Sequence, residues 1–204
     1  MPFWSTNFGD PDADLLRDPK RNFRFYITIT GINSEQNGGP MIWYAKDVQK
    51  PTFTLAEASH DYLNHTYYYP GKISWNTVDI KMVDPGGDPD VAATLAGIMQ
   101  GAGYQLPVTP DSNNLQSMSK QRAAGALGQV KIVQVDADGR PIETWTLWNA
   151  FAQEIDFGAT LAYGNDELTE YRLKLRYDWA QLETDSVGSA IVNPDNLFFD
   201  ISRE

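Results

Sequence analysis

The chain has 204 residues, of which 42% are hydrophobic and 12% aromatic, so it can bury a core and is not typical of a disordered protein. Sixteen basic residues against 27 acidic ones give a formal net charge of −11, which disfavours proteins that hold nucleic acid or anionic membranes through basic patches. The absence of cysteine excludes disulfides, thiolate nucleophiles and cysteine-ligated metal sites.

The two ends of the chain are predicted to be arms outside one main domain. Residues 1–20 contain prolines and no sustained periodicity, whereas 21–180 carry the regular patterns and 181–204 look like an extension. Aromatic residues in both arms, such as Phe3 and Phe198, either fold back on the body or dock on a neighbouring subunit. The sequence shows no secretory signal and no apolar run of the roughly 20 residues that span a bilayer, so we expect no membrane anchor and synthesis in the cytoplasm.

The body is predicted to be mainly strand, because apolar residues recur at every second position. The first such row is Phe23, Phe25, Ile27 and Ile29. The last is Tyr171, Leu173, Leu175, Tyr177 and Trp179. A hairpin is predicted from Gln129 to Asp136, through a turn at 137–139, and back from Ile142 to Phe151. The alternation slips in 73–82 and in 130–135, which indicates either a bulge or a strand covered on both faces.

One flanking helix is predicted at about 88–101. Asp88 is a plausible N-cap, Pro89 suits the first helical position, and Gly101 with Gly103 favours the end of the helix. Residues 109–126 are polar and turn-rich, so we expect a long loop there.

Candidates for catalysis or metal binding are few. His60 and His65 could form a metal site or a His–Asp pair, but a spacing of five places them on opposite faces of an extended strand, and no further histidine exists. Paired carboxylates such as Asp136 with Asp138, or Asp88 with Asp90, are explained by turns and helix caps. Phosphate-binding loops and nucleophile elbows are missing from the sequence. We therefore expect no enzyme activity, no metal and no cofactor.

Two other features could serve binding. The row Arg172, Lys174 and Arg176 could contact nucleic acid, form a solvated strand face or pair with acidic neighbours, and with the acidic net charge we favour a protein partner over DNA. The abundant tryptophans and tyrosines could stack on sugars, as in a β-sandwich carbohydrate-binding module, or anchor contacts between proteins. A hydrolase that uses two carboxylates is a further alternative.

The segment WYAKDVQKPTFTLAEASHDYLNHTYYYPG, residues 43–71, closely resembles the tail tube protein of T4-like contractile-tailed phages. The segments 128–151 and 167–180 fit the same family in the same order. The resemblance spans about residues 20 to 180.

This resemblance implies a mainly β fold, a β-sandwich or barrel with one flanking helix, that forms hexameric rings stacked into the hollow inner tube of a phage tail. The implied partners are other copies of the chain, the sheath protein outside, the tape-measure protein and transiting DNA inside, and baseplate and tail-terminator proteins at the ends. The implied location is the tail of the virion. A tube subunit of a bacterial injection device, related to type VI secretion, is the alternative within this family.

The resemblance also suggests an extended hairpin within 43–71 that reaches toward the next ring. The residues predicted to make ring-stacking or subunit contacts mix charges with aromatic rings: Lys46, Asp47, Lys50, Phe53, Glu57, Asp61, Tyr62 and Tyr67.

Overall fold

Ten strands and two helices follow one another in the computed structural model, which describes residues 20–31, 45–84, 90–105, 117–158, 161, 163–164 and 168–184. The strands are β1 Phe25–Ile29, β2 Ala45–Val48, β3 Phe53–Tyr62, β4 His65–Trp75, β5 Val78–Val83, β6 Val130–Val135, β7 Pro141–Trp148, β8 Phe151–Asp156, β9 Glu170–Arg176 and β10 Trp179–Thr184. The helices are α1 Val91–Gly101 and α2 Lys120–Leu127. No helix among these residues has the length and apolar character needed to cross a membrane.

The strands form two four-stranded antiparallel sheets and one separate ribbon. The sheet orders are β1-β6-β7-β10 and β2-β5-β9-β8, and β3 pairs with β4 alone. A single hydrophobic cluster takes residues from both four-stranded sheets and from α1, so the two sheets share one core. The predicted mainly β architecture with a helix near 88–101 is confirmed.

Alternation predicts the buried faces of β1 and β9 well but fails at their ends. Ile27 and Ile29 are buried, whereas Phe23 precedes β1 and is 75% exposed, with the Arg24 guanidinium over its ring. Tyr171 lies in a row with the buried Leu173 and Leu175 of β9. The prediction that this strand runs on to position 179 is wrong, because β9 ends at 176 and a new strand begins in the other sheet.

The predicted hairpin of β6 and β7 is confirmed, and its turn explains the nearby carboxylates. Asp136 accepts hydrogen bonds from the backbone N–H groups of Asp138 and Arg140, and Gly139 has a φ of 79° that favours glycine. The return strand does not continue to Phe151 as predicted. It stops at Trp148, and the chain turns through Asn149, at a φ of 53°, into β8 of the other sheet.

The two slips in alternation have different causes. In 73–82, strand β4 ends at Trp75, and β5 starts at Val78 in a different sheet. In β6, Ile132 and Val133 are both buried, and the register with β7 shifts after Gln134, so this strand is covered on both faces and also carries an irregularity.

Helix α1 begins later than predicted. Asp90 is the N-cap and accepts hydrogen bonds from the backbone N–H groups of Ala92 at 2.8 Å and Ala93 at 3.2 Å. The cap predicted at Asp88 is therefore misplaced by two positions, and that residue lies outside the described ranges. Val91, Leu95 and Ile98 form the buried stripe, one or two helical turns apart. The helix ends at Gly101, as the glycines indicated.

The expected loop at 109–126 is wrong in its second part, because α2 starts at Lys120. Ser119 caps it by accepting a hydrogen bond from the backbone N–H of Arg122, and Ala123 and Leu127 are buried. Four small residues and a leucine at positions 123–127 are compatible with a short packed helix, which polar composition alone did not indicate. Residues 106–116 lie outside the described part of the chain.

The division into arms and body stays a prediction. Residues 1–19 and 185–204 lie outside the described ranges. Strand β10 extends to Thr184, and the Nζ atom of Lys20 bonds the Oε2 atom of Glu143 on β7.

Candidate functional site

The ribbon β3-β4 is the most exposed regular element of the described chain. Every residue of β3 is exposed, and the ribbon pairs with neither four-stranded sheet. A two-residue loop joins its strands, and Leu63 in this loop has a positive φ of 53°, as such tight hairpins require. This ribbon, residues 53–75, is called the projecting hairpin below. It confirms the expected extended hairpin, which runs past position 71, whereas its contact with a next ring stays a prediction.

The two faces of the projecting hairpin differ in chemistry. In the register, Ala58 pairs with Tyr69, His60 with Tyr67, and Tyr62 with His65, and paired residues share a face. One face near the tip is therefore aromatic and carries His60, Tyr62, His65, Tyr67 and Tyr69. The opposite face carries Glu57, Ser59, Asp61, Thr66, Tyr68 and Pro70. These are called the aromatic face and the polar face below.

The pairing corrects the prediction for the two histidines. His60 and His65 share the aromatic face, because the turn at 63–64 reverses the chain between them and the alternation of a single strand does not apply. The His65 ring packs edge-on against Tyr67, with centroids 4.7 Å apart. No group of three potential metal-ligating side chains occurs among the described residues.

The residues predicted for subunit contact fall into two groups. Five of them lie on the projecting hairpin: Phe53, Glu57, Asp61, Tyr62 and Tyr67. The other three lie on β2 or just after it: Lys46, Asp47 and Lys50. Lys46 bonds Glu170, and Lys50 bonds Glu143, so both lysines already have partners within the chain.

The basic row lies on the face of β9 opposite the buried Leu173 and Leu175, next to acidic strands. The Arg172 Nε atom lies 3.2 Å from the Oδ1 atom of Asp79 on β5, and the Lys174 Nζ atom lies 2.9 Å from the Oε2 atom of Glu154 on β8. Arg176 instead lines a groove beside the hairpin base. Two of the three cations are thus paired with acidic neighbours, as one of the alternatives predicted, although sequence spacing could not identify Asp79 and Glu154 as the partners.

The base of the projecting hairpin is packed by aromatic rings. Trp75 is buried, its ring meets Phe53 edge-on at 5.2 Å, and it lies 5.9 Å from the ring of Tyr177. A groove of about 710 Å³ opens here between the hairpin base, the start of α2 and β8.

Tyr177 carries a buried hydroxyl with no hydrogen-bond partner of normal geometry among the described residues. Burial raises the pKa of Tyr177 to about 12, while Arg176 and the nearby Thr52 backbone oppose the shift. The hydroxyl is therefore neutral at any physiological pH, and the nearby Thr52 backbone compensates its lost hydration only weakly.

A polar cluster that the sequence analysis missed lies on the other side of the hairpin base. Glu143 of β7 has a side chain only 9% exposed. Its Oε1 atom accepts hydrogen bonds from Lys50 Nζ at 2.6 Å and from Trp145 Nε1 at 2.7 Å, while Oε2 accepts from Lys20 Nζ. The Oε1 atom of Gln134 on β6 accepts a second bond from Lys50, at 2.8 Å.

The charges of this cluster fix its protonation state. Burial by itself would raise the pKa of Glu143, but the hydrogen bonds from Lys20, Lys50 and Trp145 outweigh burial and lower the pKa from 4.5 to about 2. Glu143 is therefore a carboxylate throughout the physiological range. The sequence did contain a signal that Glu143 points inward. Glu143 lies at every-second-residue spacing from Trp145 and the buried Leu147, so the three residues share the inward face of the strand.

Comparison with known proteins places this fold among contractile injection machines. No family model matches the sequence, and no curated protein matches it. Among solved structures, a chain of the anti-feeding prophage baseplate shares 14% identity at a TM-score of 0.57, covering 83% of this chain and 98% of that one. A chain from the sheath/tube terminator of the extracellular contractile injection system PVC shares 12% identity at a TM-score of 0.57, covering 82% and 99%.

A third structure, the sheath-tube complex of PVC in the extended state, contains a chain with 14% identity at a TM-score of 0.52, covering 82% of this chain and 93% of that one. At such identities the likeness concerns the fold. The chain has the fold found in these subunits of contractile injection systems, which confirms at the level of fold the resemblance that residues 43–71 indicated.

Proposed function

We propose that this protein is the structural subunit of the inner tube of a contractile phage tail, without enzyme activity. Hexameric rings of it stack into a hollow tube that houses the tape-measure protein and later conducts DNA into the host. The sheath surrounds this tube, baseplate and terminator proteins close its ends, and the subunit resides in the virion.

The observation that carries this proposal is the projecting hairpin on a fold shared with contractile injection subunits. The aromatic side chains of its aromatic face are more exposed than a monomer normally tolerates in one patch: Tyr62 is 62% exposed, Tyr67 47% and Tyr69 55%. Large aromatic side chains are typical anchors of contacts between proteins. When identical subunits associate head to tail, each one presents the same anchors to the next, and this repeated contact closes a hexameric ring or extends a stack of such rings.

We place the ring-stacking contact on the hairpin and the adjoining strand, through the predicted set listed in sequence order: Lys46, Asp47, Lys50, Phe53, Glu57, Asp61, Tyr62 and Tyr67. Lys46 and Lys50 act there mainly by holding the strand and the hairpin base, since both are bonded within the chain. The aromatic side chains of this set supply the contact area.

The charge supports passage of DNA without retention. A subunit with a net charge of −11 repels phosphates, and the cations Arg172 and Lys174 are held by Asp79 and Glu154. We therefore assign the basic row, with Arg176 at the groove, to a neighbouring protein and not to DNA.

Electron microscopy of the purified protein over a range of concentrations tests this function. We expect rings and tubes from the full chain, and only monomers or single rings when residues 56–65 are deleted. A full chain that remains a single globule at every concentration overturns the proposal, and normal tubes from the deletion variant overturn the role of the hairpin.

The inner tube of a bacterial injection device is the second candidate, favoured by the solved structures that share the fold, which come from injection systems. Purified native particles that carry the subunit separate the two. Attachment to a DNA-filled capsid indicates a phage tail, and capsid-free particles indicate an injection device.

A further inference from the structure

Two short connections join the projecting hairpin to the body, and they are tied to each other. Residues 49–52 lead into β3, and residues 76–77 lead out of β4. The backbone N–H of Asn76 donates to the carbonyl of Thr52 at 2.8 Å, and the Asn76 side chain donates to the Thr52 hydroxyl at 3.0 Å. The base of the hairpin therefore moves as one unit.

This unit is held to the body by a backbone bond, from the Gln49 N–H to the Asp79 carbonyl of β5 at 3.1 Å, and by side-chain contacts on two sides. On one side, the Trp75 ring packs against Tyr177 at the end of β9. On the other side, Lys50 reaches across to the opposite sheet and donates to Glu143 at 2.6 Å and to Gln134 at 2.8 Å. The Trp75 contact is apolar and has no donor–acceptor direction, whereas the Lys50 bonds have fixed atoms and directions.

The length of the hairpin makes its base decisive for the position of its tip. Strand β3 has 10 residues, which corresponds to roughly 33 Å at the usual rise of a strand, so a rotation of about 10° at the base moves the tip by about 6 Å. A shift of that size separates the aromatic face from any complementary surface on another subunit.

Glu143 is suited to set this angle because it is itself held from several sides. Trp145 and Lys20 bond the same carboxylate, and the strand that bears it lies inside a four-stranded sheet. Glu143 itself is buried, and buried charged groups select one arrangement over others in some proteins even where they contribute little net stability.

We propose that Glu143 is a positioning residue that, through Lys50, fixes the direction in which the projecting hairpin leaves the body. This inference rests on the proposed function for its purpose, which is to present the aromatic face to a neighbouring copy. Its physical content, a fixed angle, is a property of the single subunit.

The absence of cysteine permits a direct test with two spin labels. One label is attached at Ser59→Cys, near the hairpin tip, and the other at Asp138→Cys, in the exposed turn between β6 and β7. Pulsed electron paramagnetic resonance of the unassembled protein then measures the distance from the tip to the body. We expect one narrow distance in the labelled parent chain. We expect that narrow distance to be lost in Glu143→Gln and in Lys50→Met, and to be kept in Lys50→Arg, which retains the charge and the donors.

Matched variants separate this role from general stability. Glu154→Gln removes an ion pair of β8 and β9 and is expected to leave the distance unchanged. A narrow, unshifted distance in both Glu143→Gln and Lys50→Met overturns the proposal, and Lys50→Met decides alone if Glu143→Gln does not fold, because Lys50 is half exposed. A parent chain that forms no tubes refutes the proposed function without affecting the distance measurement.

Discussion

Tyr67 and Tyr68 are adjacent in sequence but lie on opposite faces of the projecting hairpin, because Tyr67 pairs with His60 and Tyr68 with Ser59. Both rings are largely exposed, at 47% and 66%. The two residues thus form a natural comparison, since they share side chain, strand and exposure and differ in the face they occupy.

This comparison predicts which face makes contact between copies. We expect Tyr67→Ala to raise the protein concentration needed for tube assembly by at least about tenfold. The reason is that loss of an aromatic side chain from an interface removes about 1–2 kcal/mol or more of association free energy. We expect Tyr68→Ala to assemble nearly as the parent. Light scattering against protein concentration measures both, and equal effects would contradict the assignment to the aromatic face.

Acid is expected to weaken the fold through Glu143. Its pKa falls from 4.5 to about 2 on folding, so its ionised form contributes stability above pH 4.5, and this contribution disappears as the pH falls toward 2. Glu143→Gln should lower the free energy of unfolding at pH 7 by about 1–3 kcal/mol, and parent and variant should converge near pH 2. Denaturant unfolding at several pH values measures this difference, and a gap that is constant with pH would refute it.

Release of the basic row is expected to create DNA binding. The double variant Asp79→Asn with Glu154→Gln removes the acidic partners of Arg172 and Lys174 and should raise affinity for duplex DNA in low salt. In a plot of log affinity against log salt concentration, the slope of the double variant should be steeper than that of the parent by about 2, since each phosphate contact contributes about 0.9 to the slope. Fluorescence anisotropy checks this. Tight, salt-sensitive binding by the parent chain, lost when the three basic residues are replaced, would instead assign the row to DNA.

Removal of the Tyr177 hydroxyl is expected to leave the fold intact or stabilise it. The hydroxyl is buried without a hydrogen bond of normal geometry in the described residues, so Tyr177→Phe removes a weakly compensated polar group and keeps the ring against Trp75. We expect a change in unfolding free energy between about 0 and +1 kcal/mol. Thermal unfolding measures it, with Tyr171→Phe as the control, because the Tyr171 hydroxyl donates to Asp84 at 2.7 Å and its loss should destabilise.

Local patterns in the sequence determined much of the fold. The alternation in β1 and β9, the turn at Gly139 and the apolar stripe of α1 each depend on residues close together in the chain, whose backbone preferences and spacing are visible directly. The same reasoning failed where the chain passes between sheets, after Trp75 and after Trp148, because only two residues join the consecutive strands there.

The tertiary structure alone decided which distant groups meet. Glu143 lies 123 residues from Lys20 and 93 from Lys50, and no local pattern encodes such contacts. The shared face of His60 and His65 and the neutralisation of Arg172 likewise depend on strand pairing. Periodicity specifies which side of a strand is apolar, whereas the partners of a charge depend on the register between strands, which is set by packing of the whole core.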